Sequence, residues 1–297
     1  MDISDIATEE FIEVDVQTRL GKVRSLFERE NPKGIIVTRD GEYDAVLTER
    51  EIIQSHVEDD AKVAALVKPS RNAPAPKVDR HEDIRETARV LVEGGVKVAP
   101  VFEGDNLWGI VTADAILEAV LDNLDALDVE QIYSDDPVVV SDDDSLGKVV
   151  NLLREHGVSR LPVLDDAGGL TGVVTTHDVA DVVIRGMTKS TRGERAGDTD
   201  RMLDIPVVDI MTSPVQTTTL GESVEEAVSR MLEDDFGGLV VVDAEDDDHV
   251  VGVVTKTDVL RALTFTEEEH MDVQITNISL LDTLSREVIR DSLADVL

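Results

Sequence analysis

A chain of 297 residues without a single cysteine excludes disulfides, thiolate metal sites and a cysteine nucleophile, and its length suits about two domains of ordinary size. Aromatics make up only 3% of the residues against 41% apolar overall, so the cores must rest on Val, Ile, Leu and Ala. Asp and Glu outnumber Lys and Arg by 64 to 28, a formal charge of −36, which argues against nonspecific DNA binding because that needs a basic footprint.

Nine of the basic residues are Lys and 19 are Arg, and the acidic residues are spread along the whole chain. Frequent hydrophobic blocks distinguish it from an acidic disordered protein. A folded protein with an acidic, Lys-poor surface is expected. Such a surface repels itself in dilute salt, and the repulsion fades at molar salt, where the screening length is about 3 Å. A halophile's cytoplasm is the expected habitat. No apolar run of about 18 residues offers a membrane span. The opening MDISDIATEEF has neither the basic nor the apolar region of a signal peptide.

The predicted elements repeat four times along the chain. In the first copy, Leu20, Val23 and Phe27 mark one face of a helix, the apolar run 34–37 (GIIV) follows, then a polar turn, then AVLT ending at Thr48 and a second helix, EREIIQ. The second copy has the stripe Ile84, Thr87, Leu91, the strand 98–102 (VAPVF), and GIVT ending at Thr112 before ADAILEAVL. The third has Leu146, Val149, Leu153, the strand 161–164 (LPVL), and GVVT ending at Thr175 before HDVADVVI. The fourth has Val224, Ala227, Met231, the strand 239–242 (LVVV), and GVVT ending at Thr255 before TDVLRAL.

The threonines are spaced by 64, 63 and 80 residues. The longer spacing comes from the polar, Gly-bearing stretch 186–203, read as a linker. The unit is strand–helix–strand–turn–strand–helix, too short to bury much alone, so the units are expected to pair through their sheet faces. The expected organisation is repeat 1 at 1–60, repeat 2 at 61–124, repeat 3 at 125–185, the linker at 186–203, repeat 4 at 204–265, and a strand–helix appendage at 266–297.

Four copies of an apolar strand followed by G-φ-φ-T-x-x-D resemble tandem cystathionine-β-synthase (CBS) domains. The clearest copy is HGVSRLPVLDDAGGLTGVVTTHDVADVV at 156–183. The fourth runs from MTSPVQTT at 211–218, with Thr212 and Val215 in the family's M-T-x-x-V opening, to GVVTKTDVLRAL at 252–263. The resemblance covers about residues 1–265. It implies an α/β (α+β) fold of four βαββα repeats forming two CBS pairs, or Bateman modules. It also implies a non-catalytic role: binding AMP, ADP, ATP or S-adenosylmethionine between paired repeats and signalling to an attached partner.

The chemistry has its own rationale. Thr255 ends a strand and precedes a helix, an N-cap position, and a helix N-terminus receives phosphate well. Asp258, one turn on, could accept bonds from two ribose hydroxyls. Thr175 and Asp178 repeat the arrangement. Thr-x-x-Asp is also close to a capping box, which needs no ligand, and both readings stay open on spacing alone. Repeat 1 has Thr48 with Glu51 in the Asp position. Repeat 2 has Thr112 with Ala115 there, and Asp114 lies one residue early, about 100° round the helix. The second pair is therefore the expected nucleotide site, with Lys256 and Arg160 as cations near phosphate and Mg²⁺ or K⁺ as an added counter-ion.

No two of the six histidines are spaced for a zinc-binding helix, and no G-x-S-x-G, Walker A or G-x-G-x-x-G motif occurs, so no enzyme is expected. The acidic runs 142–144 and 246–249 read as a helix cap and a hairpin turn rather than metal loops. In the tail, 270–278 alternates like a strand, and Leu281, Leu284, Val288, Leu293 and Val296 mark an amphipathic helix. That piece weakly resembles the start of hibernation-promoting-factor-like ribosome-binding domains, which keeps a ribosome-associated factor open beside a free-standing nucleotide sensor. A packing or dimerising appendage, and with it a homodimer, is equally open.

Overall fold

The computed structural model describes residues 1–48, 51, 60–67, 77–189 and 202–265. The expected helix after Thr48, apart from Glu51, and the expected appendage at 266–297 fall outside these residues. Each of the four stripes is a helix with its marked residues buried: α1 (Leu20–Glu30), α2 (Ile84–Gly94), α4 (Leu146–His156) and α6 (Val224–Glu233). The side chains of Asp83, Ser145 and Ser223 cap the last three by accepting from Arg85 N, Lys148 N and Glu226 N. A left-handed residue closes three of them, Asn31, Gly95 and Gly157, with φ of 43°, 59° and 66°.

Around each helix stands a small mixed sheet. Repeat 1 has β1 (Glu13–Asp15), β2 (Ile35–Arg39) and β3 (Glu42–Leu47), in the order β1-β2-β3. Repeat 2 has β4 (Val78–Asp79), β5 (Val98–Glu103) and β6 (Asn106–Thr112), followed by α3 (Ala113–Val120). Repeat 3 opens with β7 (Ser134–Asp135). Its own sheet is β8 (Val140–Ser141), β9 (Arg160–Leu164) and β10 (Leu170–Thr175), followed by α5 (Thr176–Lys189). Repeat 4 has β11 (Thr217–Thr219), β12 (Gly238–Val242) and β13 (Val250–Thr255), followed by α7 (Lys256–Phe265). In every sheet the strand before the helix pairs in parallel with the strand after it, and the hairpin closes antiparallel. The helix α5 extends to Lys189, so 186–189 is helical where linker was expected. One glycine, Gly186, costs a helix about 1 kcal/mol relative to Ala, too little to end one already propagating.

The lead-in of each repeat docks on its partner. The 3-10 turn Ile3–Asp5 packs in the core of repeat 2, where Ile3 N donates to Glu82 O. The turn Val63–Ala65 returns the exchange, with Leu20 N donating to Ala61 O and Val63 buried in the repeat 1 core. Val129–Gln131 and Val207–Asp209 do the same between repeats 4 and 3, with Val129 N on Glu222 O and Leu146 N on Ile205 O. Past three of these turns the chain lies along the last strand of the partner's hairpin: Thr8 bridges Ile110, Thr212 bridges Val173, and β7 pairs with β13.

This approach explains the glycine of the G-φ-φ-T motif. A Cβ on Gly109 would collide with Thr8 O, one on Gly172 with the Met211 side chain, and one on Gly252 would stand 2.6 Å from Ser134 O. A side chain there would block the docking strand.

Two kinds of contact assemble the repeats. Sheet faces join repeats 1 and 2, with Ile36, Val98 and Ile110 buried together and Tyr43 meeting Phe102 edge to face at 5.3 Å. Helices join the pairs: Ala88 and Leu91 of α2, Ile116 and Leu117 of α3, Val228 of α6 and Val259 of α7 share one core. On the other side, Ala180 of α5 enters the core of repeat 1. The loops between the stripe helices and their hairpins thereby bring Asn31, Lys33, Lys97, Asp235 and Gly237, with Arg160 at the start of β9, towards a common junction. Among the described residues no helix is long and apolar enough to cross a membrane.

Candidate ligand-binding clefts

Three hairpins end at their threonine, and the first ends at Leu47, next to Thr48. The register sets Val98 opposite Thr112, Arg160 opposite Thr175 and Gly238 opposite Thr255, so in these three repeats the helix start lies beside the first residue of the hairpin. In repeat 4, Thr255 N and Oγ1 donate to Asp258 Oδ2 at 2.9 and 2.6 Å, and Asp258 N donates back to Thr255 Oγ1 at 3.3 Å. Thr175 and Asp178 form the same closed ring, at 2.7, 2.7 and 3.3 Å. Both sites are capping boxes in geometry. Capping consumes one carboxylate oxygen of each Asp, whereas an ionised carboxylate offers about four acceptor positions.

Repeats 1 and 2 solve the same cap differently. Thr48 N donates to Glu51 Oε2 at 2.8 Å and the Thr48 hydroxyl donates to the same oxygen, so the longer acid still reaches. In repeat 2, Ala115 N donates to Thr112 Oγ1 at 3.1 Å and the cap has no acid. Asp114, relieved of that role, accepts from Lys256 Nζ at 2.7 Å, across the junction in repeat 4.

Arg160 is the centre of the second pair. Its guanidinium crosses to repeat 4, where Nη1 donates to Gly238 O, and a Cβ on Gly238 would stand 3.0 Å from Cζ. Nε is buried without a hydrogen-bond partner. Burial pushes the guanidinium down to about 10, and the carboxylates of Asp258 and Asp178 pull the other way. It stays charged at neutral pH. The corresponding residue of the first pair is Val98, whose methyl fills the space beside Gly34. One pair thus has a cation on its axis, the other a hydrocarbon.

Of the remaining sequence candidates, Thr212 is tied to this centre through Asp178. The Thr212 hydroxyl, arriving on the exchanged lead-in, lies 3.4 Å from Asp178 Oδ1. Val215 is half-buried just before β11. Asp258 Oδ1 accepts from Arg261 at 2.9 Å. Lys256 is 7% exposed and ion-paired to Asp114.

Sequence reasoning missed Ser134. The ladder puts Ser134 opposite Val253 as Thr212 stands opposite Val173, two residues before the respective threonine, and Thr8 stands opposite Ile110 in the same way. The signal was present as Ile6-Ala7-Thr8, Ile132-Tyr133-Ser134 and Ile210-Met211-Thr212. Among the described residues no group of three or more His, Cys, Asp or Glu is placed to hold a metal ion.

Comparison with known proteins agrees with this architecture. Residues 67–122, 129–185 and 207–264 match the family model of the CBS domain, more than half of the chain. The chain belongs to the CBS-domain family. Repeat 1, outside the matched stretches, has the same strand–helix–hairpin order as the three matched CBS repeats. An uncharacterized protein of Methanocaldococcus jannaschii, MJ1404, is 25% identical over 266 residues, 87% of this chain. The match spans 61% of that relative's length. MJ1225 of the same organism is 26% identical over 204 residues, 67% of this chain and 71% of its own. The crystal structure of MJ1225, a protein for which homology to g-AMPK has been suggested, superposes with a TM-score of 0.72 at 21% identity, covering 88% of this chain and 99% of that one. An uncharacterized conserved protein from Pyrococcus horikoshii superposes with a TM-score of 0.62 at 19% identity, covering 89% and 100%. These two likenesses concern the fold.

Proposed function

We propose that this CBS protein is a non-catalytic sensor whose second pair binds an adenosine-containing ligand, AMP, ADP, ATP or S-adenosylmethionine, and passes its occupancy to a partner protein. The observation that carries the reading is geometric: Arg160 stands opposite Thr175 in its own hairpin and reaches Gly238 O, opposite Thr255, so one arginine links the two Thr-x-x-Asp helix starts. Each cleft combines a helix N-terminus for phosphate, a carboxylate for ribose hydroxyls and an exchanged hydroxyl, Thr212 or Ser134. Lys256 and Arg160 are the cations near phosphate, with Mg²⁺ as an added counter-ion. The first pair, with Thr48, Glu51 and Thr112 but a hydrocarbon on its axis, is the weaker site. CBS repeats generally serve regulation rather than catalysis, and the suggested kinship of MJ1225 with g-AMPK points the same way.

A melting-temperature panel tests this directly. The full chain in about 2 M KCl is titrated with AMP, ADP, ATP and S-adenosylmethionine, with and without Mg²⁺, and with GMP as the control. A ligand that binds only the folded state raises the midpoint by mass action. A rise with an adenosine compound and none with GMP supports the reading; no rise with any adenosine compound overturns it.

A further inference from the structure

Asp114 does not occupy the place its repeat would give it. Its carboxylate leaves the α3 cap to Thr112 and reaches across the pair-to-pair contact, 2.7 Å from Lys256 Nζ and 3.8 Å from Lys33 Nζ. One acid of repeat 2 therefore holds two cations, one from repeat 4 and one from repeat 1. Lys33 continues the chain of charges to Asp235, and Asn31 Nδ2 donates to the same Asp235 at 3.2 Å. Lys97 Nζ comes near as well, 3.7 Å from where a Cβ on Gly237 would stand.

The gathering is not a consequence of composition. The chain has nine lysines among 297 residues and a charge of −36, yet Lys33, Lys97 and Lys256 all reach this junction. A buried ammonium left without its partner is costly, so Lys256, 7% exposed, needs an anion there at all times. Lys256 is also the first residue of α7, next to Thr255, at the helix end where an anion is favoured.

We propose that Asp114 is a built-in counter-ion that competes with a ligand's phosphate for Lys256, so that an anion bound at the start of α7 weakens the contact between the two CBS pairs. This rests on the nucleotide reading for the biological ligand, but not for the competition itself. Inorganic pyrophosphate, which needs no ribose contact, probes the competition alone. Occupancy of the second pair is then read out as release of α3 from α7, because the ligand's phosphate replaces Asp114 as the anion on Lys256 and so favours the state in which the two helices have lost that ion pair.

The test is calorimetric titration of the parent, Asp114→Asn and Asp114→Asn with Lys256→Gln, using pyrophosphate, AMP and adenosine in about 2 M KCl. Asp114→Asn should bind pyrophosphate and AMP about tenfold more tightly than the parent, about one charge-assisted contact's worth, with adenosine unchanged. Adding Lys256→Gln should abolish the gain. Pyrophosphate affinity equal to or below the parent's in a folded Asp114→Asn protein overturns the inference. A gain with pyrophosphate but no binding of AMP or adenosine by any variant leaves the inference standing and removes the nucleotide reading. Hydrogen exchange on the parent needs no variant: pyrophosphate should speed exchange of the first-turn amides of α3, and unchanged or slowed exchange there contradicts the competition.

Discussion

Arg160 Nη1 donates to the carbonyl of Gly238, so a side chain from the hairpin of one CBS repeat is held by the backbone of the next. The contact exists because position 238 has no side chain: a Cβ there would lie 2.8 Å from Thr255 Cα as well as 3.0 Å from Arg160 Cζ. The first pair uses the same large-against-small pairing with Val98 and Gly34, but there it carries no charge.

Gly238→Ala should therefore destabilise the fold by about 1–3 kcal/mol, as forced overpacking does. Gly221→Ala is the control, because a Cβ at Gly221 meets nothing within 4 Å, and it should stay within about 0.5 kcal/mol of the parent. Urea unfolding of the two variants checks both.

The strand-docking glycines make a second test. Gly252→Ala places a methyl 2.6 Å from Ser134 O and should dislodge β7 from β13. Hydrogen exchange should show loss of protection at Val253, the residue paired with Ser134, with the β12–β13 pairing of Leu239 with Val254 largely retained. Unchanged protection there would mean that the exchanged lead-in is not held as the structure has it.

Acid sensitivity should focus on Asp144. Burial alone would raise its pKa, but the Lys148 ammonium at 2.7 Å and the Ser141 N–H at 2.9 Å outweigh that and hold the carboxyl below its ordinary value. A carboxyl whose folded value lies below its unfolded one stabilises the protein above the unfolded value, and this is lost as pH falls through the folded one. Asp144→Asn should thus be less stable than the parent near neutral pH, with the gap closing below the ordinary carboxylate value of 3.8. Urea midpoints across that range measure it; a gap that widens on acidification contradicts the sign.

Screening should stabilise the whole molecule. With a formal charge of −36, the midpoint of thermal unfolding should rise between about 0.1 and about 2 M KCl, as the Debye length falls from about 10 Å to under about 3 Å. A midpoint that does not move would remove the haloadaptation reading.

What could be read from the sequence was periodic or local. The stripes from Leu20, Ile84, Leu146 and Val224 announced helices because burial requires one face every 3.6 residues, and every marked residue is buried. The Thr-x-x-Asp pairs announced helix starts because capping is a short-range matter. Lys256 and Asp114 are 142 residues apart, and no spacing rule connects them. The exchange of lead-ins was hidden for a related reason: Ile3 serves the core of repeat 2 from the start of repeat 1, and only the assembled pair shows why. The small residue in G-φ-φ-T was visible as a pattern, but its cause, the backbone at Thr8 or Ser134, comes from the neighbouring repeat.

The central claim is that Asp178 and Asp258 hold ligand in addition to capping their helices. Loss of a cap alone should cost about 0.5–2 kcal/mol of stability. Calorimetric titration with AMP and ATP of an Asp178→Ala, Asp258→Ala double variant, whose ligand-free melting confirms that it is folded, separates the two roles. A carboxylate sharing two ribose hydroxyls makes charge-assisted bonds, each worth about 1.5–3 kcal/mol, so affinity should fall at least ten- to a hundredfold. Binding equal to the parent's would contradict the account and leave the two residues as helix caps.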